Sequence, residues 1–569
     1  MPTIDIDVTE FERLLGKTYN GDMEQLDDDL AYVKSEVKAY NKTENIASIE
    51  LKDTNRPDLW SVEGLARGMR CYLKLESGPR NYVVGEQALD VTVDSRLRQI
   101  RPFIACSVIK GINLTDTSIR GLMHLQDKLH RTYGRNRQKT SIGVYCLDLI
   151  TPPLSYTVAE PDAFSFVPLG FSEKMTLREI LEQHPKGQEY SHIIKKHSLY
   201  PIFLDSEQKV LSFPPIINSN DLGKVTQDTH NLLIEVTGTL QQAVLNTLML
   251  VTTALIDRGG KEYSVTIHYP ADYLCPQQTV VTPNFEDRHV SLNVEYTNKL
   301  LGLHLSSGTI AQLLLTAGLG VGKVTSETVN VLVPCYRVDV MHQVDLVEDV
   351  AVAYGYNNIE PLWRDLPTTG SSQPQQRMIN VVRELMVGSG YQEVLSYTLT
   401  NPENLLTKMN CHPKQTVGLL NPKLVTMTCL RNWLLPGLLE FLSVNQSVEF
   451  PQRIFELGKV TLPDQSQETK TVDEDRLAAV TSHVNSGFSE MKACLDAFFR
   501  NLGLNWKIRP VIHSSFLEGR VGEIVVENVS IGVLGELHPI VLEAWKLENP
   551  AVAFELSMEQ ILKFKKISL

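Results

Sequence analysis

The chain has 569 residues, 43% of them hydrophobic and 21% charged, with a formal net charge of −13. That balance excludes a disordered chain, and no stretch nears the ~20 consecutive apolar residues of a membrane helix. The acidic total speaks against autonomous nucleic-acid binding, because phosphate neutralisation by Lys and Arg supplies much of that affinity; a local basic patch, or a surface shared with a partner, stays open.

At 100–200 residues per domain, about three to five domains are expected. The opening Met1-Pro2-Thr3-Ile4-Asp5-Ile6-Asp7 has no basic region and no long apolar run, so a signal peptide is not expected. Cys71, Cys106, Cys146, Cys275, Cys335, Cys411, Cys429 and Cys494 are scattered, with no CxxC pair and no zinc spacing. Such thiols fit a reducing compartment and predict a cytoplasmic protein.

Four segments emerge in chain order, 1–84, 85–270, 274–360 and 375–569. Ile4 and Ile6 alternate with Asp5 and Asp7 as in a half-buried strand. Thr9-Glu10-Phe11-Glu12 reads as a helix N-cap with acids in its first turn. Ser61 caps a helix to Leu73, with Leu65, Met69 and Tyr72 on one face. In the second segment the strand-like Ile104–Ile109 alternates with helical Gly121–Arg131, and another helix follows at Thr176–Gln183. The third holds helices at Asn293–Leu301, Ser307–Ala317 and Asp345–Tyr354, with a strand at Thr328–Val333. Helices mixed with a small sheet permit a winged-helix-like module.

Pro367-Thr368-Thr369-Gly370-Ser371-Ser372-Gln373-Pro374 is the clearest linker. After it, Met378, Val382, Leu385 and Met386 form a helical stripe that Gly388 and Gly390 end. Val394–Leu399 reads as a strand and Leu435-Pro436-Gly437 as a helix start. Ile524–Val526 and Ile531–Leu534, split by Glu527-Asn528, read as an antiparallel hairpin. The whole predicts a multidomain α+β chain.

Four constellations stand out. Asp345, Glu348 and Asp349 share a helix face, with Asp339 upstream. Crowded carboxylates repel unless a cation or basic partner offsets them, and oxygen ligands suit Mg²⁺; acids also simply favour a helix N-terminus. Leu129–Thr140 carries Arg131, Arg135, Arg137 and Lys139 around Tyr133, which fits RNA phosphates and a stacked base or a solvated basic loop. Leu211–Ser219, with its Pro214-Pro215 pair, and Leu233–Thr239 offer Ser212, Asn218, Glu235 and Thr237. These fit a small polar pocket that orients a water, or ordinary turn chemistry. Gly318-Leu319-Gly320-Val321-Gly322 lacks the Lys-Ser/Thr of a phosphate loop and reads as a helix-to-strand turn.

In their order the pieces resemble phenylalanyl-tRNA synthetase beta chains of the archaeal/eukaryotic type. Asn55-Arg56-Pro57-Asp58-Leu59 with Glu63-Gly64-Leu65-Ala66-Arg67 is similar to their N-terminal signature. Tyr133–Arg137, Ile142-Gly143-Val144 and Leu211–Asn218 resemble the central domain of that branch, and Val333–Asp339 through Tyr354–Tyr356 its winged-helix-like domain. The resemblance covers essentially the whole chain. It implies a partner, the alpha subunit, which binds ATP and phenylalanine, in an alpha2-beta2 heterotetramer that charges tRNA(Phe). It implies Mg²⁺ held by Asp339, Asp345, Glu348 and Asp349 at an edge facing that partner. It implies that 85–270 is an editing domain hydrolysing Tyr-tRNA(Phe), with Ser212, Glu235 and Thr237 as candidate site residues. The last segment resembles a class II synthetase module with an antiparallel sheet. Arg453-Ile454-Phe455-Glu456 echoes its ATP-contacting strand, but Val552–Met558 lacks the late Gly-x-Gly-x-x-Arg. A catalytically silent copy is the expectation. The alternatives are a stand-alone tRNA deacylase and a nucleic-acid-binding scaffold.

Overall fold

In the computed structural model, which describes residues 2–271, 273–275, 277–363 and 368–564, contacts divide the chain into two units, Met1–Leu362 and Trp363–Leu569.

The first unit opens with a three-stranded antiparallel sheet in which Ile46–Leu51 lies between Thr3–Asp7 and Ser35–Asn41. Alternation decides its inner face: Ile4, Ile6, Ala47, Ile49 and Leu51 are buried. Each larger apolar side chain so buried contributes about 1.5–3 kcal/mol. The helix that follows starts at Val8, not after Thr9, because the Asp7 carboxylate accepts from the Glu10 amide at 2.9 Å. A charged cap also suits the positive helix end. Ser61 caps Val62–Tyr72 as expected.

The middle of this unit is a ten-stranded mixed sheet. Its spatial order is Ile217–Asn218, Val210–Phe213, Tyr200–Leu204, Leu154–Ala159, Gln87–Val93, Lys261–His268, Phe103–Lys110, Leu232–Gly238 and Thr140–Cys146, with Thr279–Thr282 on Lys261–His268. The sheet curls until its two ends meet: Asn218 Nδ2 donates to the Val144 carbonyl at 3.3 Å, and the Cys146 amide to Leu222 O at 3.2 Å. Leu232–Gly238 is buried along its whole length, as is Phe103–Ile109. A strand covered on both faces reads as a near-continuous apolar run instead of alternating, and Glu235 and Thr237 are the polar exceptions in Leu232–Gly238. The helix Gln241–Asp257 packs against both of these strands, and the inside of the curl covers their other face.

A three-stranded antiparallel sheet follows, Arg288–Asn293, Thr328–Val333 and Gly320–Val324, with helices Val294–Leu301, Ser307–Thr316 and Gln343–Tyr354. The glycine run is the helix-to-strand turn, where Gly318 takes a φ of 75°.

Of the anticipated linker, Pro367 lies outside the described residues, 368–373 carry no helix or strand, and Pro374 begins the helix Pro374–Gly388. The second unit is built on a seven-stranded sheet in the order Gln392–Glu393, Gln452–Pro463, Thr471–Ser482, Ala551–Ser557, Val529–Leu537, Phe516–Val526 and Trp506–Pro510. Only the first pairing is parallel. Met378, Val382 and Met386 pack with Phe488–Leu502 on one face of the sheet, and Leu435–Val444 covers the other. The predicted hairpin is present, turned by Glu527 and Asn528, both with positive φ. The strand expected at Val394–Leu399 does not form. Only the short pieces Gln392–Glu393 and Leu399–Thr400 pair, and Leu395 and Tyr397 between them are 85% and 79% exposed. Backbone without a neighbouring strand has no ladder to join.

Candidate functional site

Where the ends of the curled sheet meet lies a cavity of about 280 Å³, walled among others by His130, Arg137, Ser141, Ser212, Asn218 and Glu235. Glu235 sits mid-strand, 2% exposed. Its Oε2 accepts from the Tyr145 hydroxyl at 2.6 Å, while Oε1 has no hydrogen-bond partner among the described residues. Burial pushes its carboxyl up to about 7. The Ser212 hydroxyl, also buried, makes no hydrogen bond among the described residues, though it is close enough to the Tyr145 phenol to oppose the rise that burial imposes there. Orphaned buried polar atoms are costly, and His130 Nδ1 and Arg137 Nε add to these, so four on the residues of one cavity point to a missing ligand.

Thr237 lies two residues along the strand, on the same face as Glu235. Its hydroxyl accepts from Arg101 Nε at 2.9 Å and lies 3.1 Å from Ser141 Oγ. Arg101 is 1% exposed and also donates to Thr237 O at 2.6 Å, Ser141 Oγ at 3.0 Å and the carbonyls of Arg137 and Gln138 at 3.1 and 3.3 Å. Burial lowers this guanidinium to about 10, although Tyr156 and Glu235 pull the other way. His130 Nε2 accepts the Ile142 amide at 2.8 Å, and burial holds the ring neutral. The ring proton is therefore on Nδ1. Arg137 is not a solvated loop residue. It stacks on Tyr190 at 4.4 Å and donates to Pro215 O and Ile216 O at 3.1 and 2.7 Å.

The four acids of the third segment do not come together as one ligand set. Arg337 grips both oxygens of Asp339, at 2.9 and 2.8 Å, and Asp349 Oδ2 at 2.8 Å. Arg56 lies 3.6 Å from Asp339. Asp345 Oδ2 accepts the Met341 and His342 amides, both at 2.7 Å, and Glu348 pairs with Lys34. Burial raises Asp339, but Arg337 and Arg56 outweigh it and hold this carboxyl below its usual range. For Asp349 burial wins over the same arginines and leaves it raised. Among the described residues no three His, Cys, Asp or Glu form a group that could hold a metal ion. As folded, these residues do not fit Mg²⁺.

In the second unit, residues Arg453 and Glu456 are three apart on one strand and so face opposite ways. Arg453 pairs with Glu490 at 2.9 Å on one side. Glu456, fully buried, takes Arg431 and the Ser396 hydroxyl, both at 2.6 Å, on the other. Glu555 is likewise engaged, by Arg476 at 2.9 Å and the Leu434 and Leu435 amides at 2.9 and 3.1 Å. Arg453 and Glu456 cannot converge on one ligand.

Two family models match the chain. The tRNA synthetase B5 domain covers residues 290–356, and the phenylalanyl tRNA synthetase beta chain CLM domain covers 359–558. The phenylalanine–tRNA ligase beta subunit of Pyrococcus furiosus is 42% identical over 99% of this chain and 100% of its own length. The chain belongs to the phenylalanyl-tRNA synthetase beta-chain family. The beta subunit of Methanosarcina acetivorans is 40% identical over 89% of this chain and 91% of its own. The crystal structure of an N-terminal fragment of the Pyrococcus horikoshii beta subunit superposes with a TM-score of 0.59 at 39% identity, covering 62% of this chain and all of that fragment.

Within this beta chain the structure brings Ser212 and Glu235 to one cavity, with Thr237 beside Glu235 but not among the walls. Sequence reasoning missed Tyr145, Arg101 and His130. Arg101 carried a weak signal: a charge beside the long apolar strand Phe103–Lys110 must be exposed or fully hydrogen-bonded.

Proposed function

We propose that the chain works as the editing, non-charging subunit of phenylalanine–tRNA ligase. With an alpha subunit it supports ATP-dependent attachment of phenylalanine to tRNA(Phe), and it hydrolyses Tyr-tRNA(Phe). The layout we assign is an N-terminal α/β domain at 1–84, an α+β editing domain at 85–270, a winged-helix-like domain at 274–360 and a silent class II-like module at 375–569. The assembly is cytoplasmic and heterotetrameric, with two copies of each chain. ATP is bound by the alpha subunit, and the complex uses Mg²⁺. Division of Arg453 and Glu456 between opposite sheet faces supports silence of the last module.

One observation carries the editing reading: a buried carboxylate oxygen, Glu235 Oε1, stands unpartnered on a cavity wall beside the unpartnered Ser212 hydroxyl. A synthetic pocket that fits phenylalanine rejects one added hydroxyl only modestly, whereas a site that hydrogen-bonds a hydroxyl rejects the analogue lacking it strongly. Glu235 supplies that hydrogen bond to the tyrosyl phenol. Water then adds to the ester carbonyl, the bond to the ribose oxygen breaks, and that oxygen takes the proton. Arg137 and Lys186 at the cavity offer positive charge to the tRNA end.

The test is to assay phenylalanine attachment and Tyr-tRNA(Phe) hydrolysis with the chain alone, the alpha subunit alone and both. Charging only by the pair, with hydrolysis abolished by Glu235→Ala, is the expected result. Charging by this chain alone refutes the silent module. Hydrolysis that survives Glu235→Ala refutes the pocket.

A further inference from the structure

Glu235 is held in place by a neighbour that only a missing side chain admits. On the adjoining strand Gly143 is the residue directly opposite Glu235, and Tyr145 lies two positions on, on the same face. The Tyr145 ring is fully buried and packs 6.3 Å from Phe203. Its hydroxyl reaches back over Gly143 to Glu235 Oε2. A Cβ at 143 would stand 2.2 Å from that hydroxyl and 2.6 Å from Oε2, so any side chain there drives the two apart.

We propose that Tyr145 is a positioning residue for substrate selection: laid across Gly143, it fixes Glu235 by one oxygen and leaves the other, Oε1, for the phenol of a tyrosyl ester. The inference rests on the editing reading and adds to it the device that sets the carboxylate. A carboxylate free at both oxygens rotates and loses rotamer entropy on binding; one already tethered does not. The hydroxyl of Tyr145 also favours the charged form of Glu235 against the burial that opposes it. Arg101 acts in the same direction, and Cys106, Tyr156 and Thr237 also face the carboxylate. His130, Arg137, Lys186 and Asp127 stand around the cavity.

The experiment uses the full chain with Tyr145→Phe, which keeps the packed ring, and Gly143→Ala, which keeps the phenol but pushes it off Oε2. Hydrolysis of Tyr-tRNA(Phe) and Phe-tRNA(Phe) is followed across pH, and binding of a non-hydrolysable 3′-amide tyrosyl-adenosine is measured alongside. For both variants we expect KM for the tyrosyl ester and Kd for the amide to rise up to about tenfold, the cost of immobilising one released side chain on binding. The expected kcat stays within about twofold and phenylalanyl hydrolysis is unchanged. The pH midpoint of tyrosyl recognition moves upward, because an influence that lowered Glu235 is gone; a packing defect alone moves no such midpoint. If Tyr145→Phe equals an active wild type in KM, Kd and pH midpoint, or loses kcat with KM intact, the inference is overturned while the editing reading stands. A wild type that neither hydrolyses Tyr-tRNA(Phe) nor binds the amide overturns both.

Discussion

Replacing Arg337 by methionine removes the cation from the buried acidic edge and keeps most of the stem's volume. Arg337 is 4% exposed and makes three charge-assisted hydrogen bonds, two to Asp339 and one to Asp349. Their gross value of about 1.5–3 kcal/mol each is not the expected loss, because Asp339 retains Arg56 at 3.6 Å. What decides the magnitude is Asp349, 7% exposed, which is left without the cation it is hydrogen-bonded to. Breaking a buried pair in this way costs about 3–5 kcal/mol. Because the chain has two units, a single unfolding free energy is ill-defined. The assay is amide hydrogen exchange of the helix Gln343–Tyr354, whose opening free energy should fall by about 4 kcal/mol, close to a thousandfold faster exchange. The pH arm has a definite sign. The folded carboxyl of Asp349 is raised, so its penalty is present above that folded value and is relieved as pH falls through it. Without Arg337 it rises further, so the variant's deficit should narrow between pH 8 and pH 5. A deficit below about 1 kcal/mol, or one equal at both pH values, refutes the reasoning.

Three further outcomes are expected. Chelation with EDTA should leave the melting temperature of the full chain within about 1 °C, since Asp339 and Asp349 are satisfied by Arg337; a drop of several degrees, reversed by Mg²⁺, would refute this. Glu456→Leu should destabilise the second unit by about 3–5 kcal/mol in denaturant titrations, by stranding Arg431 at 5% exposure, while Arg431→Met combined with Glu456→Leu should recover most of it. Gly64→Ala should cost more than about 3 kcal/mol despite better helix propensity, because the new methyl would stand 1.7 Å from the Asp58 carbonyl oxygen; unchanged thermal unfolding would show that the turn at Pro57–Leu59 yields instead.

Local chemistry was legible from residue order. The Ser61 cap, the helix Gln343–Tyr354, the Glu527-Asn528 hairpin and the turn at Gly318 all follow from side-chain period and backbone preference within a few residues. Val394–Leu399 failed for the opposite reason: its residues suit a strand, but a strand exists only where another lies alongside. The partners of the acid cluster were hidden for a similar reason. Spacing placed Asp345, Glu348 and Asp349 on one turn and called for a cation or a basic partner, but it could not say that Arg337, Arg56 and Lys34 each take a share.

The sequence by itself determined the family, the order of the segments and the chemical types at the cavity, because ordered motifs and periodicity are properties of the chain alone. Tertiary structure decided which of those groups meet. Closure of the ten-stranded sheet brings Val144 against Asn218, and so places Ser212 and Glu235 around one space although 23 positions separate them. It also lays Tyr145 over Gly143. Burial then sets the titration of Glu235, and burial is a property of the fold, not of the residue.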